Sequence, residues 1–435
     1  MIASKHNIIS RVKDSNDYFI VNLLSQNADI ISSEEAEILQ SDCKEAYPDQ
    51  FIERGYIVDP KEEQKHYKQQ YLEFIDARDN DEIQLFFVPT YACNFSCSYC
   101  YQDEYAAKAK PPDEKILDAF FAYVDTKFKN RNKYITVFGG EPLLNSRDHK
   151  SYIQKLLQKA SERELDVAFV TNGYYLESYI DTLNSGRIRE VQVTLDGTAE
   201  THDKRRMLRG GANTFNQIAN GINQALKAGI AINLRMVIDK TNIDELPKLA
   251  QYAIESGWTQ SPLFKTQLGR NYELHHCQSH EARLYSRINM YEDIYDLLKK
   301  YPHIKEFHKP AFSVAKYLFE QGTLPVPLFD SCPGTKTEWA FDYTGKVYSC
   351  TATVGKPGEE LGTFYPKIEL KEELIEEWED RDILSIDKCT QCELRLACGG
   401  GCASVAKNNT GKINSPDCRP VKELLELGVG HYFRD

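Results

Sequence analysis

Ten of the twelve cysteines fall into groups whose spacing suits metal ligation. Cys93, Cys97 and Cys100 lie close together in the stretch YACNFSCSYCYQ; Cys332 and Cys350 form a second group, and Cys389, Cys392, Cys398, Cys402 and Cys418 a third. Cys43 and Cys277 stand alone and read as small buried hydrophobes. The first loop poses a problem of arithmetic. A tetrahedral zinc takes four donors and an iron-sulfur cube has four irons to ligate, yet only three thiols are present. Either a fourth ligand arrives from elsewhere or one metal position is left open.

A second group of residues points to a small polar ligand. In FGGEPLLN, Gly139 and Gly140 permit close backbone approach, Glu141 can accept hydrogen bonds from a cationic ammonium, and Pro142 follows. Alone, this is also a tight turn before a helix. Thr171 and Asn172, then Thr194 and Asp196, close two later apolar runs; each could equally cap a helix.

The elements carrying these residues alternate. Candidate strands are 83–90, 134–140, 166–172, 190–196 and 230–238, with a weaker sixth at 262–269; between them, 113–128 and 214–229 carry apolar residues at helical spacing. This implies a parallel sheet with the loops after the strand C-termini forming one functional face. Six units are too few for a closed eight-stranded barrel, so an open, partial (β/α)6 barrel is expected. Residues 1–80 read as short strands and helices ending in a charged linker helix, and 271–325 as a helical bridge. From 326 to 435 the chain is rich in cysteine, glycine and turns.

A chain of 435 residues favours two or three domains. Its 41% hydrophobic and 27% charged content is that of a globular protein, and a net charge of -12 argues against nucleic-acid binding. No long apolar run or signal peptide is visible, so a cytoplasmic protein without a membrane partner is expected.

The Cys-x3-Cys-x2-Cys loop after the first strand, with Tyr99 before its last cysteine, followed one strand later by Gly-Gly-Glu-Pro, resembles the radical S-adenosylmethionine (SAM) enzymes. The resemblance implies an α/β radical SAM core over roughly 83–270. There Cys93, Cys97 and Cys100 ligate a [4Fe-4S] cluster whose fourth iron chelates SAM, and the Gly-Gly-Glu-Pro turn contacts the SAM amino group. It also implies ribose and carboxylate contacts from the TLDGTAETHDKRR region, with Arg206 as a partner for the carboxylate. Residues 326–418 resemble the SPASM domain. That likeness implies two auxiliary [4Fe-4S] clusters, one held by Cys389, Cys392, Cys398 and Cys418, the other by Cys332, Cys350 and Cys402. The last is one ligand short, with an open iron, Cys277 or Asp330 as the alternatives. A zinc ribbon is the competing reading of the CxxC pair.

The first 80 residues resemble the winged-helix-like precursor-binding domain of peptide-modifying members; a cap that only shields the barrel is the alternative. Together these imply an enzyme that oxidatively modifies a ribosomally made precursor peptide, installing a thioether or carbon-carbon crosslink. A reducing partner such as flavodoxin or ferredoxin would supply electrons. Formylglycine-forming sulfatase-maturing enzymes are a second reading, but they carry Asp after the second SPASM cysteine and Gln before Gly-Gly-Glu-Pro, where this chain has Thr351 and Phe138. A multi-cluster electron carrier is a third, and it would have no need of the Gly-Gly-Glu-Pro turn.

Overall fold

The computed structural model describes residues 1–41, 47–100, 102, 113–270 and 283–433; Cys43 and Cys277 lie outside them. Six parallel strands form the core: β1 (Ile83–Val88), β2 (Lys133–Val137), β3 (Val167–Thr171), β4 (Ile188–Thr194), β5 (Ile232–Ile238) and β6 (Phe264–Arg270). Each pairs with its neighbour in sequence, giving an open sheet. Helices return the chain between strands, as parallel pairing requires. Two of them, Glu114–Lys127 and Phe215–Lys227, coincide with the periodic segments read from the sequence.

Successive strand residues point to opposite faces, and the two faces differ sharply here. Leu85, Phe87, Ile135, Val137, Phe169, Val191, Val193, Leu234 and Met236 join the main core with helix residues such as Phe120, Leu156 and Ile222. The intervening residues, among them Gln84, Thr136, Gln192, Arg235 and Gln267, line the barrel's interior cavity. The interior therefore mixes these polar groups with apolar ones such as Phe86, Phe138, Val170 and Val237, inside an apolar shell.

The sheet runs on past residue 326. Strand β7 (Glu338–Asp342) pairs in parallel with β1, from Glu338 opposite Gln84 to Asp342 opposite Val88. Antiparallel β8 (Lys346–Tyr348), β9 (Gly362–Thr363) and β10 (Glu369–Leu370) complete a ten-stranded sheet. The cysteine-rich extension thus covers the edge of β1 that an open barrel would leave unpaired.

The N-terminal unit is a three-stranded antiparallel sheet (Ile8–Arg11, Tyr18–Asn22, Asn27–Ile31) followed by helix Ser33–Gln40. That helix starts at a capping box in which Ser32 and Glu35 satisfy each other's backbone amides. Ile9, Ile20, Ile31, Leu39, Phe51 and Tyr56 make a small separate core. The charged helix Pro60–Asn80, expected as a linker, packs closely on the extension. Tyr67, Tyr71 and Phe74, at spacings of four and three, surround the ring of Phe329 at centroid distances of 5.2, 5.3 and 5.6 Å. At the other end of the chain, Gly428 and Gly430 sit inside helix Val421–Tyr432, which costs helix stability. They let Phe312 and Lys13 approach its backbone closely. No helix among the described residues is long and apolar enough to cross a membrane.

The turn after β4 is fixed by His202, fully buried, whose Nδ1 accepts from the Asp196 amide at 3.2 Å. Burial, then the charge of Arg206, pushes the imidazole down to about 3. Its folded value lies below the unfolded one, so the unfolded chain binds the extra proton between those values. The stabilisation is complete above about pH 6.5 and is lost progressively as pH falls. We expect the protein to lose roughly 2 kcal/mol more stability between pH 7 and pH 5 than a His202→Gln variant, which keeps an acceptor. Urea unfolding at the two pH values measures it; identical pH dependence would contradict this role.

Candidate active site

The three-thiol loop leaves the C-terminal end of β1, and the structure shows what holds it. The Phe138, Gly140 and Glu141 amides donate to the Phe87, Thr90 and Ala92 carbonyls at 3.1, 3.0 and 2.8 Å. The Gly-Gly-Glu-Pro turn is thereby zipped to the stem of the cysteine loop. Both glycines are required by that contact. A Cβ on Gly140 would lie 2.2 Å from the Ala92 carbonyl oxygen, and Gly139 has φ 131° with Val88 2.7 Å from its would-be Cβ.

From the far side the loop is gripped by the segment after β4. Phe95–Cys97 pairs with Arg206–Leu208, Arg206 facing Cys97, and the Arg209 Nε donates to the Cys93 and Phe95 carbonyls at 3.0 and 3.1 Å. Two adjacent arginines divide the work below. Arg206 donates to the Tyr99 hydroxyl at 2.7 Å, and Tyr99 donates to Asp196 at 2.6 Å. Arg205, unremarked in the sequence, bridges Asp196 and Asp239 from a buried position.

Cys93, Cys97, Cys100, Tyr99, Gly139, Gly140, Thr171, Asn172, Thr194 and Arg206 all line one cavity of about 630 Å³, which descends into the barrel interior. Glu141, Pro142 and Asp196 do not line it. Glu141 is buried, and its carboxylate is occupied by the Leu143 amide, the Thr171 hydroxyl and the Asn172 amide at 2.8, 2.6 and 2.7 Å. Burial raises its pKa and these bonds oppose the rise. It thereby braces the turn against the end of β3. Asp196, fully buried, is likewise spent, on Tyr99, Arg205 and the Val237 amide. In both cases the sequence shows a carboxylate at a strand end but not the neighbours that bind it.

The extension brings its cysteines together in two places. Gly399, Gly400 and Gly401 are all left-handed, with φ 60, 75 and 73°, and a Cβ on Gly401 would lie 1.9 Å from the Asp417 carbonyl oxygen. This turn lays residues 417–418 against 398–402. Arg381, fully buried, ties it with bonds to the carbonyls of Ile413, Gly401, Gly400 and Ser415 at 2.8–3.1 Å. Burial, then the charges of Cys398, Cys392 and Cys418, pushes the Cys389 thiol up to about 11, which marks the four as neighbours. The other place is the start of helix Ala403–Thr410, whose N-cap is Cys402. There the Ala403 amide bonds to the Cys332 thiol, and Ser404 Oγ lies 3.4 Å from Cys350 Sγ.

Each set suits an iron-sulfur cluster in donor chemistry. Of the proposed fourth ligands for the group of Cys332, Cys350 and Cys402, Asp330 is occupied. Its carboxylate takes the Lys336 ammonium and, at 2.9 Å, the Cys332 amide. Cys277 lies outside the described residues. No periodicity marks Glu338, whose carboxylate, raised to about 7 by burial, accepts from the Thr351 amide at 2.9 Å.

Residues 87–253 match the Radical SAM superfamily model, so the barrel carries a radical SAM domain. The chain is 25% identical over 186 residues to a GTP 3',8-cyclase of Sulfurimonas denitrificans, covering 42% of this chain and 56% of that protein. It is 29% identical over 170 residues to the sporulation killing factor maturation protein SkfB of Bacillus subtilis, covering 39% and 38%. The chain spans about half the length of the cyclase relatives it matches. Among solved structures it resembles native anSMEcpe with bound AdoMet, with TM-score 0.61 at 17% identity over 81% of this chain and 98% of that one. It also resembles Streptococcus suis SuiB bound to precursor peptide SuiA, with TM-score 0.55 at 14% identity over 96% and 98%. These last two likenesses are of fold.

Gly140→Ala should force the loop stem away from the turn, costing roughly 1–3 kcal/mol. Iron content after anaerobic purification should fall below that of the wild-type protein. Full iron content with an unchanged denaturant midpoint would show that the contact is not needed.

Proposed function

We propose that the protein is a radical SAM peptide maturase with three [4Fe-4S] clusters. The observation that carries this is the one cavity in which three cysteines and the glycines of the Gly-Gly-Glu-Pro turn meet the barrel interior. A [4Fe-4S] cluster and SAM held here would supply, on one-electron reduction by a flavodoxin or ferredoxin, a 5'-deoxyadenosyl radical able to take a hydrogen atom from a substrate C–H bond. The chain's own residues orient and enclose. Cys93, Cys97 and Cys100 hold the cluster, and Gly139 and Gly140 leave room for SAM beside it. Thr171, Asn172, Thr194 and Arg206 offer the polar edges that position SAM, and Phe138 shields the site from water.

The thiol groups of the extension are assigned to two auxiliary clusters, with Cys389, Cys392, Cys398 and Cys418 completing one and Cys332, Cys350 and Cys402 supplying three ligands to the other. These would accept the electron left on the product radical or coordinate a substrate thiolate. Phe138 and Thr351 both face the cavity, at the positions where sulfatase-maturing enzymes resembled by this chain carry Gln and Asp. This favours a thioether or carbon-carbon crosslink over formylglycine. The N-terminal unit is assigned to precursor recognition. Its strand Asn27–Ile31 has one neighbour in the sheet, and Ile30 is 55% exposed, so a peptide strand can be added along its outer edge.

Incubated anaerobically with dithionite and SAM, the wild-type protein should form 5'-deoxyadenosine. A Cys93→Ala variant should form none while retaining iron bound by the extension. Production of 5'-deoxyadenosine by the variant would overturn the assignment.

A further inference from the structure

The cavity's charge runs against that of the molecule. In a chain of net charge -12, the described residues of its walls include Arg189, Arg206, Arg235, Lys265 and Arg270 and, among carboxylates, Glu190. Four of the five cations are engaged. Arg189 pairs with Glu82 at 2.7 Å, Lys265 with Glu190 at 2.5 Å, Arg206 with the Tyr99 hydroxyl, and Arg270 with the Tyr285 carbonyl. Arg235 is different. Its Nε is shut off from water without a hydrogen-bond partner, and the guanidinium enters no ion pair among the described residues.

The surroundings of Arg235 are built for an anion. It lies on β5 in register with Thr194 of β4 and Gln267 of β6. Gly269 makes room for it: a Cβ there would stand 2.9 Å from Arg235 Nε and 3.1 Å from Nη2. The side chain is therefore folded toward the end of the barrel that carries the thiols. A guanidinium held in a partly desolvated channel without an anion is costly, and a planar carboxylate is the partner its fork fits best.

We propose that Arg235 receives a carboxylate of the substrate peptide, so that the residue to be modified lies beside an acidic side chain or a free C-terminus. This rests on the peptide-maturase reading above. The SAM carboxylate is the less suitable occupant, because Arg206 faces Cys97 directly in backbone register beside the thiol loop, whereas Arg235 stands on a different wall.

The test measures binding, not turnover. Equilibrium dialysis of the full-length, cluster-loaded protein with SAM would use three probes: acetyl-Ala-Glu-Ala-amide, acetyl-Ala-Gln-Ala-amide, and acetyl-Ala-Gln-Ala with a free C-terminal carboxylate. The wild-type protein should bind a carboxylate probe about 10- to 100-fold more tightly than the neutral one. Preference for the first assigns an acidic side chain; preference for the third assigns a C-terminus. Arg235→Gln should erase the discrimination, and Arg235→Lys, which keeps charge but loses the fork, should retain part of it. Three observations would overturn the proposal: equal binding of all probes, discrimination that survives in Arg235→Gln, or a comparable loss of SAM affinity in that variant. Failure of the wild-type protein to form 5'-deoxyadenosine would instead remove the maturase reading and leave the carboxylate site standing.

Discussion

Three backbone hydrogen bonds between residues 138–141 and the carbonyls of Phe87, Thr90 and Ala92 fix the geometry on which the rest of the site depends. They exist because two glycines let one turn lie against the stem of another at a separation no side chain would permit. Everything downstream is referenced to that contact. Glu141 carries it across to Thr171 and Asn172 at the end of β3, and the Asn172 side chain returns to Asn94 in the cysteine loop at 2.8 Å. Arg206 and Arg209 close the loop from the opposite side. The cysteine loop is thus held by backbone and buried polar groups, and its three cysteines line the cavity.

The architecture around this contact divides labour between two faces of one sheet. Apolar strand residues pack outward against helices and supply the stability, while the alternate residues turn inward and set amides, hydroxyls and charges among apolar groups such as Phe86 and Val170. Strand β7 then welds the extension to the barrel through β1, the strand that leads into the cysteine loop. A rigid parallel pairing therefore connects the two thiol-bearing regions, with Thr351 and Ala352 of the extension forming part of the cavity wall. In the proposed reaction this brings an auxiliary cluster and the radical-generating site to the same substrate.

Much of this was legible in the sequence because it is local. The six strands and the helices between them declare themselves by period, and the capping box at Ser32 by its spacing. The Gly-Gly-Glu-Pro turn stands out because glycine pairs of this kind are needed only where backbones touch. What was not legible depends on pairings between distant residues. The hydrogen bonds that Thr171 and Asn172 give to Glu141, and Tyr99 and Arg205 to Asp196, are pairings of this kind. The helix Pro60–Asn80 looks like a solvated linker because its aromatic stripe is narrow among charges, and only Phe329 reveals what the stripe is for. Arg235 and Glu338 sit at inward positions of their strands. The alternation of polar with apolar residues in INLRM was a signal that could have found Arg235, whereas EWAFD, with three apolar residues in a row, carries none for Glu338.

The central claim is that the loop of Cys93, Cys97 and Cys100 seats a cluster with one iron open to SAM. Electron-nuclear double resonance on the dithionite-reduced protein, with SAM carrying an isotopic label on its amino nitrogen, tests that most directly. The account predicts a reduced [4Fe-4S] signal that changes on adding SAM and acquires coupling to the labelled nitrogen, both lost in Cys93→Ala. A spectrum indifferent to SAM, or zinc in place of iron at these thiols, would contradict it.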